Sequence, residues 1–356
     1  MSILERYGAR LPQVGKEFHC SLGEGNTPLL ASRVIGPELG LKNLFFKCEH
    51  QNPSGSYKDR FVALELSILR QSGARYTVAT SSGNTGSSLA AYAARYNVPC
   101  HLFVCEKTPS GKLLQMKAHG ANVYRVRGFC LCRETSQRVM DDLYAITQRD
   151  NSRPAISAFS FAPEGMQGVS TIAFEIEEQL DAIGLQAGHV FAPGGGCGLY
   201  LAISRGFASG NTSPRVHLVQ PRLNDTAVTA IREGRDAATP SSTTTTISGL
   251  AVPQVLDGDA AIADARQNGG SGFLIEDSDA FYWQQKMLRE EGVWIEPAGA
   301  VSIAGLATAV REGAINTEEP VVCVLTGHGF KDPSSALPQD EPETMIEPGD
   351  IAGILA

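Results

Sequence analysis

The sequence predicts an α/β protein with mostly parallel sheets, and three observations carry that expectation. Short apolar runs alternate with helix-like segments along nearly the whole chain. The alternation is present early and resumes later, giving two sets of α/β units. Glycine is abundant, at 37 of 356 residues, while aromatics make up only 7%, as suits many tight strand-to-helix turns.

In the first set, residues 44–48 (LFFKC) read as a strand and 60–72 (RFVALELSILRQS) as a helix ended by Gly73. Residues 76–80 read as a strand, 84–96 as a helix and 100–105 (CHLFVC) as a strand. A helix over 111–119 is stopped by Gly120, and 122–127 is again a strand. In the second set, 168–184 reads as a helix, 189–193 (HVFAP) as a strand, 198–208 as a helix and 215–220 as a strand. Residues 294–296 precede another helical stretch, and 320–325 (PVVCVL) is a strongly apolar strand. The Ser/Thr-rich stretch 233–250 reads either as a solvated linker or as an active-site loop. The acidic, Pro-rich tail after Asp332 is expected to wrap the surface or meet a partner.

With 42% hydrophobic residues, the chain can bury a large core and divide into two domains. A formal net charge of −8 argues against a nucleic-acid footprint, which needs a basic face. No apolar run is long enough for a membrane span, and the start, MSILERYGARLPQ, lacks an apolar signal core. A soluble, cytoplasmic protein is expected. The eight cysteines contain no C-x-x-C pair. Reduced, mostly buried thiols are therefore expected rather than a disulfide framework. No His/Cys spacing suggests a metal.

Five segments carry chemistry. Asn52-Pro53-Ser54-Gly55-Ser56-Tyr57-Lys58-Asp59-Arg60 joins a strand to a helix. Ser54 or Ser56 is a candidate cap, with Lys58 in the first turn. A cation there opposes the helix dipole, which lowers its pKa and suits a lysine that must attack a carbonyl. Thr80-Ser81-Ser82-Gly83-Asn84-Thr85-Gly86 brings hydroxyls, an amide and backbone N–H groups to a helix start, an anion site suited to a carboxylate. Pro193-Gly194-Gly195-Gly196-Cys197-Gly198-Leu199 follows an apolar strand and opens a helix. It matches neither the dinucleotide fingerprint nor a P-loop, and so suggests a monophosphate. Leu325-Thr326-Gly327-His328-Gly329-Phe330-Lys331-Asp332 and Ile295-Glu296-Pro297-Ala298-Gly299-Ala300 stand at strand ends, where ligands of open α/β sheets collect.

Together with Gly25-Asn26-Thr27-Pro28-Leu29, these segments resemble the fold-type II (tryptophan synthase β) family of pyridoxal-phosphate enzymes. Within it the resemblance is to the threonine synthase branch, over roughly residues 20–335. It implies two doubly wound domains with twisted sheets and the cofactor, pyridoxal 5′-phosphate, in the cleft between them. Residues 46–160 would form a small mobile domain, and 1–45 with 161–356 a large cofactor-binding domain. A homodimer acting on a small amino acid is expected.

By the same resemblance, Lys58 carries the cofactor covalently and is the catalytic lysine. Asn84 bonds the cofactor's 3′-oxygen, and Thr326 meets its ring nitrogen. Gly194, Gly195, Gly196, Cys197 and Gly198 cradle its phosphate, and Ser81, Ser82 and Thr85 hold the substrate carboxylate. Tyr57, Phe61 and Cys197 depart from the branch's pattern and put the substrate in question. The alternatives are a lyase converting O-phosphohomoserine to threonine and phosphate, a β-replacement or β-elimination enzyme on a serine, phosphoserine, O-acetylserine or cysteine-type substrate, and a non-catalytic relative.

Overall fold

A computed structural model describes residues 2–335, apart from 109, 151 and 253, together with residue 345. The tail expected to wrap the surface lies almost wholly outside the described residues. Nine strands form two sheets among those residues: β1 (Leu29–Ala31), β2 (Leu44–Lys47), β3 (Thr77–Ala79), β4 (Cys100–Cys105), β5 (Asn122–Val126), β6 (His189–Pro193), β7 (Arg215–Pro221), β8 (Gly272–Ile275) and β9 (Val321–Val324).

The larger sheet has the order β1-β2-β9-β6-β7-β8 and the smaller β3-β4-β5. Every pairing is parallel except β1 against β2. β2, β6 and β9 are buried at every residue. A parallel strand covered on both faces has no polar side to display, which is why these runs are continuously apolar apart from Lys47 and His189. The chain therefore is the mixed α/β fold with parallel-rich sheets that the alternation predicts.

Strand order places the site. β2, β9 and β6 are neighbours, so the segments leaving their carboxyl ends — 48–58, 325–329 and 194–198 — emerge side by side. The Tyr57 N–H donates to the Thr326 carbonyl at 3.0 Å, and Ser56 bridges to Gly327. Lys58 is thereby fixed to the end of β9 through backbone bonds.

Three expectations need correction. The helix read from residue 168 begins at Pro163 and runs to Asp181; proline's fixed φ favours the first helical position. Neither Ser54 nor Ser56 caps the Lys58 helix, whose N-cap is Tyr57 with no side-chain bond. Instead Asp59 reaches back, accepting from Ser54 N at 2.6 Å and from the Ser54 hydroxyl. Finally, Cys105 and Cys130 form a disulfide. The turn Val126–Cys132 folds Cys130 back beside the end of β4, with Cα atoms 5.4 Å apart. That proximity is tertiary and invisible in cysteine spacing. The other six cysteines are free, and all but Cys132 are buried.

Candidate functional site

Lys58 is the first residue of the helix Lys58–Gln71. Its Nζ donates to Ser157 Oγ at 2.7 Å and lies 4.5 Å from the centre of the Tyr57 ring. Burial pushes its pKa down to about 8, with Glu296 and Asp257 partly opposing the shift. Ser157 also meets Thr85 Oγ1 at 3.0 Å, which ties the lysine to the Ser81–Thr85 loop.

That loop opens the helix Asn84–Arg95, with Gly83 as N-cap. Gly83 N–H donates to Ser81 Oγ at 3.2 Å. Asn84 points into the site and donates to both oxygens of Glu296, at 3.0 and 2.9 Å. Thr326 Oγ1 donates to Glu296 Oε1 at 2.8 Å. The buried Glu296 carboxyl is pushed above its usual range by desolvation, against the pull of the Asn84 and Thr326 bonds.

Cys197 is the N-cap of the helix Gly198–Ala208, with φ of +70°. The loop before it is closely packed. A Cβ on Gly194 would lie 2.3 Å from Leu218 Cδ1, and one on Gly196 2.8 Å from Leu256 Cδ1. Among the described residues, Gly194 N–H has an acceptor in Val219 O, while the N–H groups of Gly195, Gly196, Cys197 and Gly198 have none. Orphaned amides at a helix start make an anion site. The Cys197 thiol is buried and raised to about 12, so it is no nucleophile.

A cavity of about 390 Å³ is lined by Lys58, Ser81, Ser82, Asn84, Thr85, the Gly194–Gly198 loop and Thr326. All eleven residues singled out from the sequence thus meet on one space. A second cavity, of about 660 Å³, shares part of its wall, including Ser82, Gly83, Asn84 and Glu296. The residues present fit pyridoxal phosphate: a neutralisable lysine, an amide, a hydroxyl and a loop of free amides bound one cavity.

Sequence reasoning singled out the Glu296 segment without giving the carboxylate a role; the signal was its strand-end position before Pro297. Ser157 was missed, since nothing local marks it. The 233–250 stretch is no mere linker: Ser248 and Gly249 line both cavities. Among the described residues no cluster of metal-ligating side chains occurs, and no helix is long and apolar enough to cross a membrane.

Comparisons with known proteins bear on the family and the fold. The model of a family described as pyridoxal-phosphate dependent enzyme matches residues 20–327. The chain is 32% identical to a threonine synthase of Methanocaldococcus jannaschii, covering 96% of this chain and 84% of the relative. It is also 32% identical to a threonine synthase of Bacillus sp. (strain ULM1), over 99% and 96% of the two chains. Among solved structures, maize serine racemase superposes with a TM-score of 0.72 at 19% identity, covering 93% of this chain and 92% of that one. The processed form of threonine deaminase isoform 2 from Solanum lycopersicum gives 0.69 at 20% identity, over 92% and 82%. At these identities the structural likeness speaks for the fold alone.

Proposed function

The chain belongs to the family of pyridoxal-phosphate-dependent enzymes and is a lyase of that family; from this premise we propose that it acts as a threonine synthase, converting O-phosphohomoserine and water to threonine and phosphate. The observation that carries the reading is the meeting of Lys58, Asn84, Thr326 and the free loop amides on one cavity, in a chain similar to threonine synthases along nearly its whole length.

Pyridoxal phosphate, when bound, withdraws electrons from the substrate Cα and so makes its C–H acidic. The residues of the chain do the rest. Lys58 holds the cofactor and moves the proton at Cα. Its lowered pKa leaves a usable fraction of free amine near neutrality, and Ser157 fixes where that amine points. The amides of Gly195–Gly198 would hold the cofactor phosphate, Asn84 its 3′-oxygen, and Thr326 its ring nitrogen. A hydroxyl there does not force protonation of the ring as a carboxylate would, which favours elimination and replacement over transamination. Ser81, Ser82 and Thr85 hold the substrate carboxylate. Closure of a small domain, residues 46–160, onto the large one would exclude water.

A second reading has its own support. Hydroxyls of Ser81, Ser82, Thr85 and Ser157 wall the Lys58 cavity, and among its described residues Lys58 is the one cation. Such a wall suits an uncharged β-substituent, as in β-elimination from a hydroxyamino acid. Incubation of the holoenzyme with O-phosphohomoserine separates the two. Equimolar threonine and phosphate are expected. Turnover of serine or O-acetylserine without any threonine from O-phosphohomoserine would replace the first reading with the second. Lys58→Ala should lose the visible absorbance of the bound cofactor.

A further inference from the structure

We propose that Lys331, on the turn after β9, is the seat of the substrate's phosphate group, with Gln115 holding it in place. The proposal rests on the O-phosphohomoserine reading and supplies what the Lys58 cavity lacks among its described residues, a second cation.

Lys331 lines the outer cavity of about 660 Å³, which meets the Lys58 cavity at Ser82, Gly83, Asn84 and Glu296. A substrate with its carboxylate on the Ser81–Thr85 loop can therefore extend its side chain across that shared wall. The Lys331 Nζ donates to Gln115 Oε1 at 3.0 Å, and Gln115 Nε2 donates in turn to the Ser54 carbonyl at 3.0 Å. This second bond turns the Gln115 oxygen towards the lysine. An ammonium carries three N–H donors. Among the described residues the other two have no acceptor, although Lys331 is half-buried and desolvation lowers its pKa.

The nearby carboxylates are already engaged. Glu296 accepts from Asn84 and Thr326, and Asp59 from Ser54 and Ser88. Asp332 also borders the cavity and accepts from the Ser334 hydroxyl at 3.4 Å. Room for the lysine stem is made by Gly55, at φ +89°, where a Cβ would lie 3.0 Å from Lys331 Cε. An ammonium with two of its three donors unmet on the wall of a cavity is a ready partner for a dianionic oxyanion.

The chemistry balances. The Cγ–O bond breaks with its electron pair leaving on the phosphate oxygen, where Lys331 meets the added negative charge. The hydrogen lost from Cβ is returned at Cγ. Water supplies the hydroxyl at Cβ, and its remaining proton leaves with the phosphate.

The test uses the holoenzyme with inorganic phosphate as the calorimetric probe, beside steady-state kinetics on O-phosphohomoserine. Wild type should bind phosphate saturably. K331Q should weaken that binding, and raise KM for O-phosphohomoserine, by about 10- to 100-fold, with K331R recovering part of both. Phosphate binding and KM unchanged in K331Q would overturn the proposal while leaving the threonine synthase reading intact. Lys331-dependent phosphate binding without threonine formation would keep the anion seat and discard that reading. Should K331Q fail to fold, acetylation of wild-type Lys331 decides: protection by phosphate supports the seat, and an unchanged labelling rate removes it.

Discussion

Lys58 is held by a single hydrogen bond, to Ser157 Oγ, and its environment otherwise disfavours its charge. Burial drives the pKa down, against the field of Glu296 and Asp257 and the face of the Tyr57 ring 4.5 Å away. Removing the Ser157 oxygen takes away stabilisation of the charged form alone. Ser157→Ala should therefore lower the Lys58 pKa further, by about one to two units, since a hydrogen bond to a charged group contributes roughly 1.5–3 kcal/mol. The pH dependence of Lys58 labelling by a carbonyl reagent in the apoprotein measures this directly. An unmoved midpoint would mean that Ser157 merely neighbours the lysine. At this scale the sequence is legible where chemistry is local. Lys58, Asn84 and the glycine loop each sit in a segment whose residue types serve no ordinary cap or turn. Ser157 lies 99 residues from its partner in a stretch with no periodic pattern, and only folding reveals it.

The helix that carries Lys58 is anchored by charge in its first turn. Arg60 is fully buried and meets Glu49 at 2.7 Å through both Nε and Nη2. It also meets Glu175, at 2.8 and 2.7 Å. Lys47, on β2, completes the group through Glu175 at 2.7 Å. One cluster thus joins β2, the Lys58 helix and the helix Pro163–Asp181. A buried pair adds little net stability over an apolar pair, but losing one partner strands the other. Arg60→Met should accordingly destabilise the protein by about 3–5 kcal/mol, read as a lower urea midpoint; a loss below 1 kcal/mol would show that water reaches the two carboxylates. This cluster also explains an irregularity of pattern: Lys47 sits in an all-buried strand because its ammonium has three acceptors, Glu175, Thr27 O and Gln179. Strands β4 and β6 and the helix Gly198–Ala208 match their sequence-read limits to the residue, since apolar runs and glycine punctuation bound them. β1 and β8 escaped notice: they are the two edge strands of the large sheet, and neither is the continuously buried apolar run that announces β2, β6 and β9.

Across the whole molecule, the large sheet carries a pH-dependent element far from the cofactor cavity. Ser271 N–H donates to His217 Nδ1 at 3.1 Å, so the hydrogen of that ring lies on Nε2 and is donated to His189 Nδ1 at 2.9 Å. The His189 hydrogen then lies on Nε2, 3.3 Å from Glu319. The chain runs from the β8 edge through β7 and β6, and each link requires neutral imidazoles. Burial holds them so, down to about 4 for His189 and about 3 for His217. In the unfolded chain both titrate near 6.5. As pH falls below that value the unfolded state takes up protons that the folded state refuses, so stability is full above about pH 6.5 and declines towards pH 4. The slope is at most about 1.4 kcal/mol per pH unit for His217. It is less for His189, whose ring faces the partly exposed Glu319 and Arg215. Arg60 and Lys47 hold the cluster carboxylates Glu49 and Glu175 below their usual range against desolvation, and their unfolded values near 4.3 put their contribution below about pH 5. Urea midpoints at pH 7.5, 6.5 and 5.5 should therefore fall mainly over the last interval. His217→Gln, which retains an acceptor for Ser271 and cannot protonate, should flatten that fall. If the fall is as steep in the variant, the acid sensitivity resides elsewhere than in the strand-spanning histidine pair.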